Sequence, residues 1–254
     1  MKHDNRTAFV LAAGLGTRLK ELTSDKPKAL VSINNTPLLK VLLDKLLNNG
    51  FNHIVVNVHH FGGQIIDFLN ENYQGYDIRV SDERGLLMDT GGAVLKALHL
   101  FDDCEAVLVH NVDILCDLDV KSMYDDFLKS NDAAWLFTQE RESKRKILFD
   151  RNDRFIGRYN LETGVLDTYS PRISSVNDVL SDGGKLLSFS GIHLLRPALF
   201  RRFQLRPCHI FSLYNELTLI YNIKSKIINA ECWFDLGTQQ QLKNAELWLS
   251  YKTL

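Results

Sequence analysis

Short apolar runs and helically spaced leucines alternate through the first half of the chain. Residues 7–13 form an apolar run that stops at Gly14 and reads as a buried strand. Residues 37–49 read as a helix. Pro37 suits its first turn, Leu38, Leu39, Leu42, Leu43, Leu46 and Leu47 form a wide stripe, and Gly50 is a fitting stop. Residues 53–58 predict the next strand, and 62–73 a helix with Ile65, Ile66 and Leu69 at helical spacing. A short strand at 78–81 follows, then a helix that Thr90 could cap and that runs to 98. Residues 106–110 are again an apolar strand, leading into Asn111-Val112-Asp113, and 118–130 are helical. This β-α-β-α-β rhythm predicts an α/β fold with a mainly parallel sheet and helices on both faces. Ligands of such sheets sit beyond the carboxyl ends of the strands. Gly14, Asp82 and Asn111 all follow strands, so their loops are candidates for one cleft.

The rhythm changes near Asp132. Residues 133–139, 146–149, 155–159 and 165–169 are short strand-like runs broken by polar turns, which predicts hairpins. Residues 177–185 are polar, contain Gly183-Gly184 and read as a loop. Residues 186–195 predict a strand, 197–203 and 211–221 helices, 226–230 and 232–235 extended chain, and 239–251 a closing helix. No repeat or long linker separates the halves. The expectation is one domain over 1–254, in which about 132–254 forms a smaller β-rich lobe or lid on the sheet built by about 1–131.

Composition narrows the function classes. With 30 Lys+Arg against 31 Asp+Glu the formal net charge is −1, so no global basic excess points to nucleic acid or a membrane surface. An anionic ligand must then meet a local cluster of positive charge. Cys104, Cys116, Cys208 and Cys232 include no C-x-x-C pair, which gives zinc and thioredoxin-like chemistry little support. The first residues show no signal-peptide core, and no apolar run approaches the roughly 20 residues of a membrane span. These features predict a reduced, cytoplasmic, soluble protein.

The local cluster is at hand. In Leu11-Ala12-Ala13-Gly14-Leu15-Gly16-Thr17-Arg18-Leu19, two glycines after a buried strand let the backbone turn sharply and bring amides against an anion. The third glycine of a dinucleotide fingerprint is missing, because Leu19 stands there, and so is the Gly-Lys-Ser/Thr ending of a Walker loop. Instead Arg18, Lys26 and Lys28 follow. A glycine turn with an Arg and a nearby Lys suits a triphosphate, and a tight turn with solvated charges is the plainer alternative. Asp113 ends a buried strand, where a carboxylate is costly unless paired or bound to a cation; a cap or turn role is the other reading. Asp235 sits similarly before Gly237. Thr90-Gly91-Gly92 opens a helix whose free amides could receive polar edges of a base or ribose, unless Thr90 is a plain cap. His59 and His60 have no partner at ligand spacing, and Phe211, Tyr214 and Tyr221 read as core.

Taken together these segments resemble the sugar-1-phosphate nucleotidyltransferases. LAAGLGTRL followed by Lys26-Pro27-Lys28-Ala29-Leu30 resembles their signature loop. Asp89-Thr90-Gly91-Gly92, Asn111-Val112-Asp113, Phe189-Ser190-Gly191-Ile192-His193 and Trp233-Phe234-Asp235-Leu236-Gly237-Thr238 resemble their later motifs, in the family's order. The resemblance is nearest to short bacterial enzymes that activate N-acetylmuramate 1-phosphate or mannose 1-phosphate. It implies a GT-A-like, Rossmann-like fold and transfer of a nucleotidyl group to a sugar 1-phosphate, with pyrophosphate released. It implies Arg18 and Lys28 as the catalytic cations and Asp113 and Asp235 as ligands of Mg2+. It further implies Leu11, Ala12, Ala13, Gly14, Gly16, Thr17, Thr90, Gly91, Gly92 and Asn111 around the nucleotide. Glu83, Asp89, Gly191 and Glu216 match positions that touch sugar or nucleotide. The expected partners are a nucleoside triphosphate, UTP by the LAAG form of the loop, and a sugar 1-phosphate. No nucleic acid or membrane is expected, and the chain should be a monomer or small homo-oligomer.

The chain departs from that pattern in places. Val112 replaces a small residue, Ala29 and Ser32 stand where prolines are common, Asp89 is one methylene shorter than the usual Glu, and residues 139–149 hold no counterpart of the Phe-Val-Glu-Lys-Pro segment. Rival readings are a guanylyltransferase for mannose 1-phosphate, a catalytically silent regulatory relative, a nucleotidyltransferase for phosphocholine, and a nicotinamide-dependent oxidoreductase. The complete Arg18, Lys28, Asp113 and Asp235 set argues against silence, and the missing third glycine against the oxidoreductase.

Overall fold

The computed structural model describes residues 6–170 and 173–252. The reading of the chain's start rests partly on residues 1–5, which lie outside the described residues. Four strands, Arg6–Leu11, Phe51–Val58, Asp77–Asp82 and Val107–Asn111, run parallel in the spatial order 77–82, 51–58, 6–11, 107–111. The helices Leu38–Asn48, Gly62–Asn72 and Asp89–Ala97 lie between them in sequence, and Val120–Leu128 follows the last strand. Alternate strand residues enter different cores. Ala8, Val10 and Val56 join Leu39, Leu43 and Leu46 on one side; Phe9, Val55 and Val109 join Ala93, Val94 and Phe101 on the other. Burial on both faces is why these strands are near-continuous apolar runs. Fully burying a side chain such as Phe9 contributes roughly 2–3 kcal/mol.

Register then places chemistry at one edge. Leu11 pairs with Asn57 on one side and with Asn111 on the other, and Val58 pairs with Asp82. The strand ends that the sequence points to therefore share one rim of the sheet.

The long strand Lys185–Leu195 ties the halves together. Its residues Ile192–Leu195 lie antiparallel to Val107–His110, and its residues Ser188–Leu195 pair with Ala134–Gln139, which carries Ile223–Ile227 on its outer edge. Its first residues, Lys185–Leu187, instead pair with Arg145–Phe149, which leads to Phe155–Asn160 and Leu166–Thr168 as an antiparallel lobe. The pairing slips between Phe189 and His193, where Gly191 takes a φ of +83°. A bulge of this kind re-aims the strand, and glycine adopts that conformation without penalty.

Several expectations need correction. Residues 177–185 are not a simple loop: Val176–Ser181 is helical, with Ser175 and Asp178 forming a capping box, before the turn at Gly183. The polar composition and paired glycines concealed it. The expected helix at 211–221 is Ile210–Leu217, and the one at 197–203 is a 3-10 turn, Pro197–Phe200. The strand expected at 226–230 begins earlier, at Ile223. Thr90 is not a cap; Met88 holds that position and makes no side-chain cap. Among the described residues no helix is long and apolar enough to cross a membrane. Cys104, Cys116 and Cys208 are free thiols.

Candidate active site

Beyond the rim lies a cleft of about 380 Å³. Leu11, Ala12, Ala13 and Gly14 line it from the first strand, Asn111, Val112 and Asp113 from the fourth, and Glu83, Leu87, Asp89 and Thr90 from the third strand and the helix after it. Lys28 and Asn57 complete the lining. The loop after Leu11 is held from beneath. Asn57 Oδ1 accepts hydrogen bonds from the amides of Ala12 at 2.6 Å and Ala13 at 3.2 Å, and Asn57 Nδ2 donates to Glu83 Oε1 at 2.8 Å. The Met88 amide donates to Glu83 Oε2 at 3.1 Å. Glu83 is fully buried, and that burial pushes its carboxyl above the usual range against the opposing pull of these two hydrogen bonds. Both its oxygens are engaged by the protein, so Glu83 stands as a support of the loop. Asn57 carried no motif. Its one signal was an amide in the apolar run Ile54-Val55-Val56-Asn57-Val58.

Gly14 has open space around it, whereas Gly16 has a φ of +66° and a side chain there would crowd Thr23 and Lys28. Gly16 thus turns the loop into the 3-10 segment Thr17–Thr23, in which Leu19 is fully buried and Arg18 is exposed. Lys28 lies on the next turn, 8% exposed, while Lys26 faces solvent. Of the two lysines only Lys28, the one the resemblance points to, lines the cleft.

A two-stranded antiparallel pairing brings together the segments that carry the two aspartates. Ile114–Cys116 pairs antiparallel with Trp233–Asp235, setting Asp235 opposite Ile114, and the Leu236 amide donates to the Asp113 carbonyl at 2.8 Å. Each carboxylate faces a cation of the loop region. Lys28 Nζ is ion-paired with Asp113, and an Arg18 guanidinium nitrogen is 3.6 Å from Asp235 Oδ1. The Gly237 amide also donates to Asp235 Oδ1 at 2.9 Å, and a Cβ on Gly237 would collide with the Arg18 guanidinium. Two Asp, one Lys and one Arg, drawn from four separate segments, are thereby brought together.

Other expected positions do other work. The amides of Gly91 and Gly92 are not free; both donate to the Cys208 carbonyl, at 2.8 and 3.0 Å, and a Cβ on either would strike the backbone of 206–209. Thr90 Oγ1 accepts from the Ile210 amide at 3.0 Å. The helix start at 89–92 therefore docks the second half of the chain, and a ligand finds these two glycine amides occupied. Asp89 lines the cleft in a left-handed conformation, φ +57°. Gly191 lies against Asn111 and Ile114. Glu216 is away from the cleft lining, about half exposed and paired with Arg206 at 3.3 Å. Thr17 is exposed on the loop.

Residues 7–146 match the family model for nucleotidyl transferases. The chain belongs to the nucleotidyl transferase family. An N-acetylmuramate alpha-1-phosphate uridylyltransferase of Caulobacter vibrioides is 40% identical over 116 residues, 44% of this chain and 48% of that one. The relative of the same name from Neisseria meningitidis is 28% identical over 242 residues, 94% of this chain and 96% of that one. Mannose-1-phosphate guanyltransferase beta-B of Xenopus laevis is 26% identical over 240 residues, 91% of this chain and 61% of that one. The match thus spans about half the length of the first relative and under two thirds of the third. The solved structure of HddC from Yersinia pseudotuberculosis complexed with GMP-PN superposes with a TM-score of 0.74 at 20% identity, covering 96% of this chain and 99% of that one. The fold of this nucleotidyl transferase family member is the GT-A-like one expected.

Proposed function

We propose that the chain transfers a nucleotidyl group from a nucleoside triphosphate, UTP in the first instance, to a sugar 1-phosphate. What supports this reading is the pairing of four charged residues: Lys28 on Asp113, both lining the cleft, and Arg18 beside Asp235, on the strand that pairs with the one following Asp113. A phosphate oxygen of the sugar 1-phosphate attacks the α-phosphorus. The bond from that phosphorus to the bridging oxygen breaks, and pyrophosphate leaves with the electron pair. The nucleophile is already an anion, so no general base is needed, and catalysis reduces to positioning and charge neutralisation. Arg18 faces the leaving pyrophosphate and Lys28 the reacting phosphates. The Asn57-held amides of the loop keep its shape.

Asp113 and Asp235 suit a magnesium ion in their chemistry: two carboxylates of one site, with the remaining coordination left to phosphate oxygens and water. Such an ion would polarise the α-phosphate. The uridylyl choice is supported by the Neisseria relative, which aligns along nearly the whole chain, and the Xenopus guanyltransferase keeps GTP as the second candidate.

The test is pyrophosphate release with magnesium, crossing UTP, GTP, ATP, CTP and dTTP with the 1-phosphates of glucose, mannose, N-acetylglucosamine and N-acetylmuramate. Release that requires one triphosphate and one sugar phosphate together supports the reading and names both. Silence over the whole panel by folded, nucleotide-binding protein overturns it.

A further inference from the structure

Several cations of the second half have a carboxylate partner. Arg158 pairs with Asp167 at 2.6 Å, Lys185 with Asp153 at 2.7 Å and Arg196 with Glu105 at 2.7 Å. Arg141 and Lys146 differ. Lys146 Nζ donates to the Arg141 carbonyl at 2.5 Å and to Ser188 Oγ at 2.9 Å; the Arg141 guanidinium donates to the carbonyls of Glu142 at 3.2 Å and Phe189 at 3.0 Å. Every one of these acceptors is neutral. Both side chains are partly buried, and the guanidinium lies 4.3 Å from the centre of the Trp233 ring. Arg141 Nε is buried without a hydrogen-bond partner among the described residues, and so are Gln139 Oε1 and Ser190 Oγ nearby in the same strands. Two adjacent, partly desolvated cations hydrogen-bonded only to neutral acceptors, with Asp235 and Glu142 acting on them without direct contact, favour a bound anion. Burial lowers the Lys146 ammonium from its usual value, the Arg141 charge lowers it further, and the Glu142 carboxylate opposes both.

The location links this pair to the reaction. Arg141 holds the Phe189 carbonyl, Trp233 Nε1 donates to the Ser190 carbonyl at 3.0 Å, and Gly191, next in the bulge, abuts Asn111. Trp233 and Asp235 stand two apart on one strand and so share a face. A hollow of about 1080 Å³ opens beside Arg141 and Lys146, with Lys144, Lys185, Glu140 and Glu142 also on its wall.

We propose that Arg141 and Lys146 bind the anionic group of the acceptor sugar 1-phosphate and hold it at the Asp235 end of the site. The inference rests on the function proposed above. The group is an oxyanion suited to a guanidinium fork, and it can be the phosphate or a carboxylate carried by the sugar.

N-acetylglucosamine 1-phosphate and N-acetylmuramate 1-phosphate distinguish the two sources, because only the second carries a lactyl carboxylate. Each is titrated calorimetrically into the full chain with magnesium and a non-hydrolysable UTP analogue present; the analogue is also titrated alone. Arg141→Met keeps an apolar stem over Trp233 while removing charge, Lys146→Met does the same for the ammonium, and Arg141→Lys restores charge. Both Met variants are expected to weaken sugar phosphate binding about ten- to a hundredfold, the size of one or two charged hydrogen bonds. Arg141→Lys should recover part of that, and affinity for the analogue alone should hold. Loss for both sugars assigns the phosphate to this pair, and loss for N-acetylmuramate 1-phosphate alone assigns the carboxylate. Unchanged sugar phosphate affinity in both Met variants, or an equal loss for the analogue alone, overturns the inference, and leaves the proposed reaction standing if the wild type releases pyrophosphate. A wild type that binds neither sugar phosphate and releases no pyrophosphate sinks both.

Discussion

Lys28 and Arg18 differ in what their removal leaves behind. Lys28→Ala strands the Asp113 carboxylate in a largely buried place, while Arg18 is exposed and touches Asp235 only at 3.6 Å. Both variants should lose turnover by about 100-fold or more, as expected for a donor aimed at developing charge. Only Lys28→Ala should also shift the unfolding midpoint. Pyrophosphate-release kinetics beside urea melts check both; near-normal turnover by Arg18→Ala removes it from the mechanism. Asn57 is the residue whose importance no motif announced. Asn57→Ala leaves two loop amides without their acceptor and Glu83 without its donor. Each unpaired buried polar group costs about 1–3 kcal/mol, so a loss of at least about 3 kcal/mol is expected in a urea melt. An unchanged midpoint would mean that the loop does not need this support. The four charged residues were legible because each stood in a recognisable motif. Asn57 was not, because its role depends on a register between two strands 45 residues apart.

At the level of elements, the start of the helix Asp89–Ala97 shows where sequence reading fell short. The two glycines were legible as special, but their purpose was not. A helix start that welcomes an acceptor looks the same in sequence whether a ligand or a carbonyl of the same chain fills it. Here the Cys208 carbonyl does. Gly92→Ala would set a Cβ 2.5 Å from the Arg206 carbonyl, so the 206–209 segment must lift. Limited proteolysis should cut this variant faster within 203–209 than the wild type, and equal cleavage rates would show that the contact yields without opening. The helix Val176–Ser181 was missed for a related reason: six residues are too few for periodicity, and only its capping box marked it.

For the whole molecule, the parallel core was legible from its apolar runs, and the attachment of the second half was not. That attachment runs largely through one strand, Lys185–Leu195, which pairs with strands of both halves, and no local pattern encodes it. Its burial has a measurable effect. Burial holds the His193 imidazole, on that strand, down at about 3, and that of His110 at about 4. Both stay neutral in the fold, whereas an unfolded histidine takes up a proton near 6.5. Between those values the unfolded chain binds more protons. Stability should therefore fall as pH drops below about 6.5, by about 1.4 kcal/mol per pH unit for each histidine, with no contribution to the slope above it. Urea midpoints at pH 7, 6 and 5 test this, and His193→Gln, which keeps a partner for Tyr214, should flatten part of the slope. Midpoints level from pH 7 to 5 would contradict it.

The pairing of Ile114–Cys116 with Trp233–Asp235 also sets a clock on biosynthesis. The glycine loop, Lys28 and Asp113 are all made early, yet the second carboxylate leaves the ribosome more than a hundred residues later. The sheet cannot close around Val107–Asn111 before Leu195 has emerged. A stalled nascent chain ending at residue 225 should therefore carry the parallel core and no turnover, and release of the remaining residues should switch activity on in one step. In the proposed reaction, such late completion means that a half-built chain holds the glycine loop before it can turn over a triphosphate.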